Sequence, residues 1–145
     1  MEKILISACL VGDKVRYDGK SSYTPLIEEL LKKYELVPFC AEVEGGLPTP
    51  RVPSERKKGR VINAQGKDVT SNFLKGTDLA VNICLYLGIK VAILKEDSPS
   101  CGVKEIHDGY FQNRKIKGEG ALSEALKRKG IRVISSEDIE SFLKE

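Results

Sequence analysis

Three short apolar runs constrain this chain more than anything else in it. Ile4-Leu5-Ile6, Leu36-Val37-Pro38-Phe39 and Val91-Ala92-Ile93-Leu94 are nearly continuous instead of alternating. A strand without alternation is covered on both faces, which is the condition of a parallel sheet flanked by helices. Each run leads into a cysteine: Cys9, Cys40, and Cys101 within the loop Lys95-Glu96-Asp97-Ser98-Pro99-Ser100-Cys101-Gly102. Pro99 and Gly102 force that last loop to be tight. In a parallel α/β sheet, ligands and catalytic groups gather beyond the carboxyl ends of the strands. Three cysteines there can converge on one rim.

Helical periodicity fills the spaces between the runs. Thr24-Pro25 offers a hydroxyl cap and a first-turn proline. Leu26, Ile27, Leu30, Leu31 and Tyr34 then recur at three- and four-residue spacing. A second helix is expected over 71–87, where Phe73, Ala80, Ile83, Cys84 and Leu87 share a face, which places Cys84 in the core. A third follows Gly118-Glu119-Gly120, whose amino end offers a weak anion site. The last follows Ser135-Ser136-Glu137-Asp138, after a fourth strand over 131–134.

Two stretches break this rhythm. From Glu42 to Thr70 the chain is rich in Gly and Pro and carries Arg51, Arg56, Lys57, Lys58, Arg60 and Lys67. A loop of that length in a compact domain is usually functional or disordered. Within it, 60–63 and 67–70 are expected to pair around Gln65-Gly66, with Arg56-Lys57-Lys58 solvated. Farther on, 103–107 and 110–112 flank Asp108-Gly109, a hairpin signal. His107, the single histidine, lies on that arm and is expected at the surface or partly packed. The whole order predicts one α/β domain over 1–145, a Rossmann-like three-layer sandwich with a mainly parallel sheet and a β-hairpin insertion.

A net charge of +3 is too small, and too mixed in sign along the chain, to imply a nucleic-acid partner. No apolar run approaches the roughly 20 residues that span a bilayer. The first residues lack the pattern of a secretory leader. A cytoplasmic protein with no membrane partner is expected. In that compartment four cysteines are metal ligands, reactive thiols or core residues sooner than disulfides.

Spacing then sorts the chemistry open to Cys9, Cys40 and Cys101. Structural zinc prefers local cysteine pairs, and none is present. Thiol–disulfide exchange usually employs Cys-x-x-Cys, also absent. An iron–sulfur cluster tolerates distant ligands when the fold assembles them. A four-iron cubane normally takes four thiolates, so three leave one iron open as a Lewis acid. Glu42, two residues past Cys40, can carry a proton at the same rim. Ser98 and Ser100 can orient a water or donate to a bound atom. A zinc- or cluster-binding regulatory module remains an alternative, as does a hydrolase or transferase with a cysteine nucleophile.

Three blocks of sequence resemble the bacterial thiouracil desulfidase (TudS-like) family. They are Cys9-Leu10-Val11-Gly12 with Val15-Arg16-Tyr17-Asp18-Gly19, then Cys40-Ala41-Glu42-Val43-Glu44-Gly45-Gly46-Leu47-Pro48-Thr49-Pro50-Arg51, then Ser98-Pro99-Ser100-Cys101-Gly102. The resemblance runs from Ile4 to the last strand. It implies a 4Fe–4S cluster on Cys9, Cys40 and Cys101 with one open iron. It also implies hydrolysis of a thiocarbonyl of thiouracil or a related thionucleobase, without net redox, releasing sulfide. Glu42 and Ser98 are the expected catalytic residues, with Asp18 and Asp97 as rival bases. Asp18, Arg51 and Ser100 are the expected substrate contacts, and Arg51 would suit the phosphate of a thionucleotide. Ala41 stands where the family usually has proline, which predicts a looser turn between Cys40 and Glu42.

Overall fold

The computed structural model describes residues 1–145. In chain order its elements are β1 (Glu2–Ser7), α1 (Leu26–Leu31), β2 (Tyr34–Phe39), α2 (Ala41–Glu44), β3 (Ser54–Lys57) and β4 (Arg60–Asn63). There follow α3 (Thr70–Leu87), β5 (Val91–Leu94), β6 (Glu105–His107), β7 (Lys115–Lys117), α4 (Ala121–Arg128), β8 (Arg132–Ser135) and α5 (Ile139–Leu143). The central sheet has the order β2-β1-β5-β8, and every neighbouring pair is parallel. Two antiparallel ribbons, β3–β4 and β6–β7, stand apart from it.

The unbroken apolar runs do cover both faces. On one side Leu5, Ala92 and Leu94 pack with Ala80, Val81 and Cys84 of α3 and with Leu122 and Leu126 of α4. On the other, Ile4, Ile6, Ile93 and Ile134 pack with Ile27 and Leu30 of α1 and with Ile139 and Phe142 of α5. Fully burying each such Leu or Ile contributes on the order of 1.5–3 kcal/mol, so this two-sided core fixes the layers. Cys84 is wholly buried within it, as its helical position predicts. No helix is long and apolar enough to cross a membrane.

Several local expectations are corrected. α1 ends at Leu31, and Tyr34 belongs to β2, where it pairs with Glu2 and its ring stacks on Phe142. Segment 60–63 forms its ribbon with 54–57, and it meets 67–70, as expected, only through one antiparallel bridge, Ile62 to Asp68, with Asn63 N–H to Lys67 O at 2.8 Å and Val69 N–H to Val61 O at 2.9 Å. The turn responsible is Lys58-Gly59, with φ of 51° and 78°, the positive values a tight hairpin turn demands. Arg56 and Lys57 are not solvated. Arg56 binds Glu124 and the Glu119 carbonyl, and the Lys57 ammonium lies 3.6 Å from the centre of the Tyr110 ring. The second ribbon pairs 105–107 with 115–117, leaving 108–114 as its loop. That loop is held from outside the ribbon, because buried Glu55 accepts from the Gly109 and Phe111 N–H groups at 2.9 and 3.1 Å.

Candidate active site

The carboxyl ends of β1, β2 and β5 open into a cleft of about 570 Å³. Cys9, Cys40 and Cys101 all line it, with Glu42, Arg51, Ser98 and Ser100. Each cysteine arrives by a different local device. Cys9 lies in a single 3-10 turn, Ala8–Val11, that bends the chain off β1. Cys40 stands between β2 and α2 in extended conformation. Cys101 lies in the loop beyond β5, which α4 holds from behind. The N–H groups that begin α4 are taken by that loop: Gly120 donates to the Gly102 carbonyl at 2.8 Å, Ala121 to Pro99 at 2.9 Å and Leu122 to Ser100 at 2.9 Å. The anion site expected at Gly118-Glu119-Gly120 is therefore occupied by backbone. Gly120 is required for close approach, since a Cβ there would meet Ser100 backbone at 2.4 Å.

Glu42 is the hub of the polar groups. Its Oε1 accepts from Arg51 Nε at 3.1 Å. Its Oε2 accepts from Ser100 Oγ at 3.1 Å and from Ser98 Oγ at 3.5 Å. The two hydroxyls lie 2.9 Å apart. Ser98 Oγ in turn accepts the N–H groups of Ser100 and Cys101, both at 3.1 Å, so the serine that faces Glu42 also shapes the cysteine loop. Arg51 is fixed by three further acceptors: Val15 O at 2.9 Å, Pro48 O at 3.1 Å and Thr49 Oγ1 at 3.1 Å.

The turn carrying Cys40 and Glu42 is tight despite Ala41. Glu44 N–H donates to Cys40 O at 3.0 Å and Gly45 N–H to Ala41 O at 2.9 Å. α3 presses on it through Gly76, where a Cβ would lie 1.8 Å from the Ala41 oxygen. Close packing supplies the stiffness that a proline would otherwise give.

Other expected residues are placed differently. Asp18 is not among the cleft-lining groups; its carboxylate accepts from Arg16 and from the Lys20 N–H, both at 3.0 Å. It touches the cleft only through Arg16. Asp97 does line the cleft, in a left-handed conformation (φ 69°), but pairs with Lys115 at 2.9 Å. His107 also lines the cleft, and its Nδ1 is buried without a partner.

Sequence reasoning missed Glu96. This carboxylate is 4% exposed, and its Oε1 accepts from the N–H groups of Val103, Lys104 and Glu105 at 2.8, 2.9 and 3.2 Å. Its Oε2 accepts from Ser135 Oγ at 2.6 Å. It staples both ends of the 97–102 loop to β8. Burial pushes its pKa up, but the hydrogen bonds from Ser135, Lys104, Val103 and Glu105 outweigh burial and hold it below the ordinary value. Nothing in the local sequence separates such a carboxylate from a solvated one.

The thiols are all free, and burial raises each of them. Cys101 is pushed up to about 12 and Cys84 to about 11, and Cys9 and Cys40 move the same way. Cys9, Cys40 and Cys101 line the same cleft. Yet no three Cys, His, Asp or Glu side chains come close enough to hold a single metal ion.

A solved structure described as a [4Fe-4S]-dependent thiouracil desulfidase, TudS, matches with 44% identity and a TM-score of 0.92, over 97% of this chain and 95% of the other. An uncharacterized protein of Bacillus subtilis (strain 168), YbbK, is 35% identical over 97% of this chain and 99% of its own. A family model described as 2-thiouracil desulfurase matches residues 4–138. With its cysteines and Glu42 gathered at one sheet rim, the chain belongs to the 2-thiouracil desulfurase family.

Proposed function

We propose that this protein removes sulfur from thiouracil or a related thionucleobase by hydrolysis, with a 4Fe–4S cluster held by Cys9, Cys40 and Cys101. The observation that carries the reading is the Glu42–Ser98–Ser100 group placed in the same cleft as three thiols. The donor set fits a cluster better than one ion. Tetrahedral zinc at about 2.3 Å from each sulfur would draw the sulfurs to about 3.8 Å from one another. Thiols that line one cleft but do not converge on a single ion suit ligands to different irons.

Bound there, such a cluster supplies Lewis-acid polarisation of a thiocarbonyl at the iron that lacks a protein ligand. The protein supplies the rest. Arg51 fixes Glu42 Oε1, which leaves Oε2 and the two hydroxyls turned toward the cleft. Glu42 Oε2 takes a proton from water as the oxygen bonds to carbon, and the carbon–sulfur bond opens. The proton returns to the departing sulfur, so thiouracil and water give uracil and hydrogen sulfide with no net electron transfer. Ser98 and Ser100 hold the ring oxygen or the water. Asp18 acts at one remove, by fixing Arg16 at the cleft wall. The substrate partner is a small thionucleobase or thionucleotide, with no nucleic-acid or membrane partner. A cluster with an open iron and four free thiols suits the reducing cytoplasm.

The test is turnover of 2-thiouracil by anaerobically reconstituted protein in ¹⁸O-water without any reductant. Labelled uracil and one sulfide per uracil are expected. A requirement for an electron donor, or unlabelled product, would overturn the reading.

A further inference from the structure

Phe111 is an aromatic residue that the fold holds in a strained place and packs into no core. It lies in the 108–114 loop at φ 54°, a left-handed conformation that a bulky side chain rarely adopts. Two buried carboxylates hold it there. Asp108 accepts from the Tyr110 N–H at 2.9 Å and from the Gln112 side-chain amide. Glu55, reaching in from β3, accepts the Gly109 and Phe111 N–H groups at 2.9 and 3.1 Å. The Asp108 N–H closes the loop on the Arg114 carbonyl at 2.9 Å. Strained backbone persists only where its surroundings over-determine it, and such places cluster at functional sites.

Phe111 lines the same cleft as the three cysteines and Glu42, and 39% of its surface stays exposed. It belongs to none of the apolar clusters, and no ring or cation of the chain covers it. Its neighbour Tyr110 is occupied by contrast, since the Lys57 ammonium lies over that ring. Tyr17 is the other exposed aromatic at the cleft, and its backbone carries no left-handed strain. The fold thus constrains one aromatic at the cleft and leaves its ring without a partner.

We propose that Phe111 is the platform on which the flat ring of the substrate stacks, with Glu55 as the residue that positions it. The inference rests on the thionucleobase reading above and adds how the ring, as distinct from the thiocarbonyl, is recognised. A free aromatic face accepts any planar heteroaromatic ring, because every base has a π face. The platform acts in binding and leaves the carbon–sulfur chemistry to the groups around Glu42. It favours aromatic pyrimidines over saturated analogues that carry the same polar edge. Glu55 is a positioning residue, acting through the backbone at Gly109 and Phe111.

The experiment is steady-state turnover of 2-thiouracil by reconstituted wild type and variants, with uracil and dihydrouracil as competing inhibitors. Loss of base stacking predicts a KM raised about 10- to 100-fold in Phe111→Ala, with kcat close to wild type. Wild type should bind uracil more tightly than dihydrouracil. Phe111→Leu, which keeps apolar bulk without a π face, should lose that preference, and Phe111→Tyr should restore it. Glu55→Ala should raise KM in the same way, and Glu55→Gln should rescue it, because its amide oxygen still accepts both N–H groups. A wild-type KM in Glu55→Ala would remove Glu55 from its positioning role. Phe111 lies outside the core, so its variants carry the test even where Glu55→Ala disturbs β3. An unchanged KM in Phe111→Ala, or a loss seen only in Tyr17→Leu, would overturn the inference and leave the desulfidase reading standing. Wild type that does not turn over 2-thiouracil would overturn both.

Discussion

Arg51 Nε donates to Glu42 Oε1 at 3.1 Å, and the two side chains keep only 7% and 12% of their exposure. The pairing divides the labour of one carboxylate. One oxygen is anchored, and the other faces two hydroxyls beside Cys40 and Cys101. A freely rotating glutamate at the same place would present neither oxygen reliably.

Glu42→Gln keeps the shape and one acceptor but cannot take a proton. Removing a general base typically costs roughly 10²–10⁴ in rate. The variant is expected to hold full iron and to release sulfide that much more slowly in a single turnover. A near-normal rate, with the loss appearing in Asp97→Asn instead, would move the base to Asp97.

Breaking a buried ion pair leaves an uncompensated charge and costs about 3–5 kcal/mol. Arg51→Met strands Glu42 and also vacates Val15 O, Pro48 O and Thr49 Oγ1. A drop in stability of about that size by urea titration is expected, together with lost turnover. A variant as stable as wild type would show that the pair is solvated in solution.

The ligand assignment is read by iron analysis. Cys9→Ser, Cys40→Ser and Cys101→Ser should each lose most bound iron and activity. Cys84→Ser should keep the iron, at a cost of about 1–3 kcal/mol for burying a hydroxyl in an apolar core. Iron lost from Cys84→Ser but retained in Cys101→Ser would reverse the assignment.

Gly76 lets α3 lie against the Cys40–Glu42 turn. A Cβ 1.8 Å from the Ala41 oxygen must push the backbones apart. Gly76→Ala should therefore destabilise the protein, although alanine is the better helix former by about 1 kcal/mol. Overpacking costs typically about 1–3 kcal/mol beyond that. A more stable Gly76→Ala protein would mean that the two helices separate freely.

Glu96 sets a pH dependence whose sign follows from its lowered pKa. In the unfolded chain it titrates at the ordinary value of 4.5, and in the folded protein below it. The unfolded state thus binds the proton first as pH falls. The stabilisation is complete above pH 4.5 and disappears as pH drops through the folded value. Urea midpoints of wild type and Glu96→Gln should differ at neutral pH and draw together in acid. A gap that stays constant with pH would exclude this linkage.

The layers and the rim were legible in the sequence because burial on two faces leaves an unbroken apolar run. Three such runs and a fourth strand over 131–134, with helices between them, leave few topologies open. Cys84 was separable from the other cysteines for the same reason: helical spacing alone puts it on an apolar face. The two ribbons were misregistered because short strands carry little pattern, and their partners were chosen by Lys58-Gly59 and by Glu55 reaching across to the 108–114 loop. Only the tertiary structure could decide how the polar groups are shared. Arg51 and Glu42, Ser7 and Lys95, and Glu96 and Ser135 meet across separate segments, and a hydrogen bond leaves no periodicity in the chain that makes it. The sequence by itself determined a parallel sheet with three cysteines at its carboxyl edge. Packing then determined which oxygen of Glu42 is held, how the two hydroxyls of Ser98 and Ser100 face the other, and hence what that edge can do.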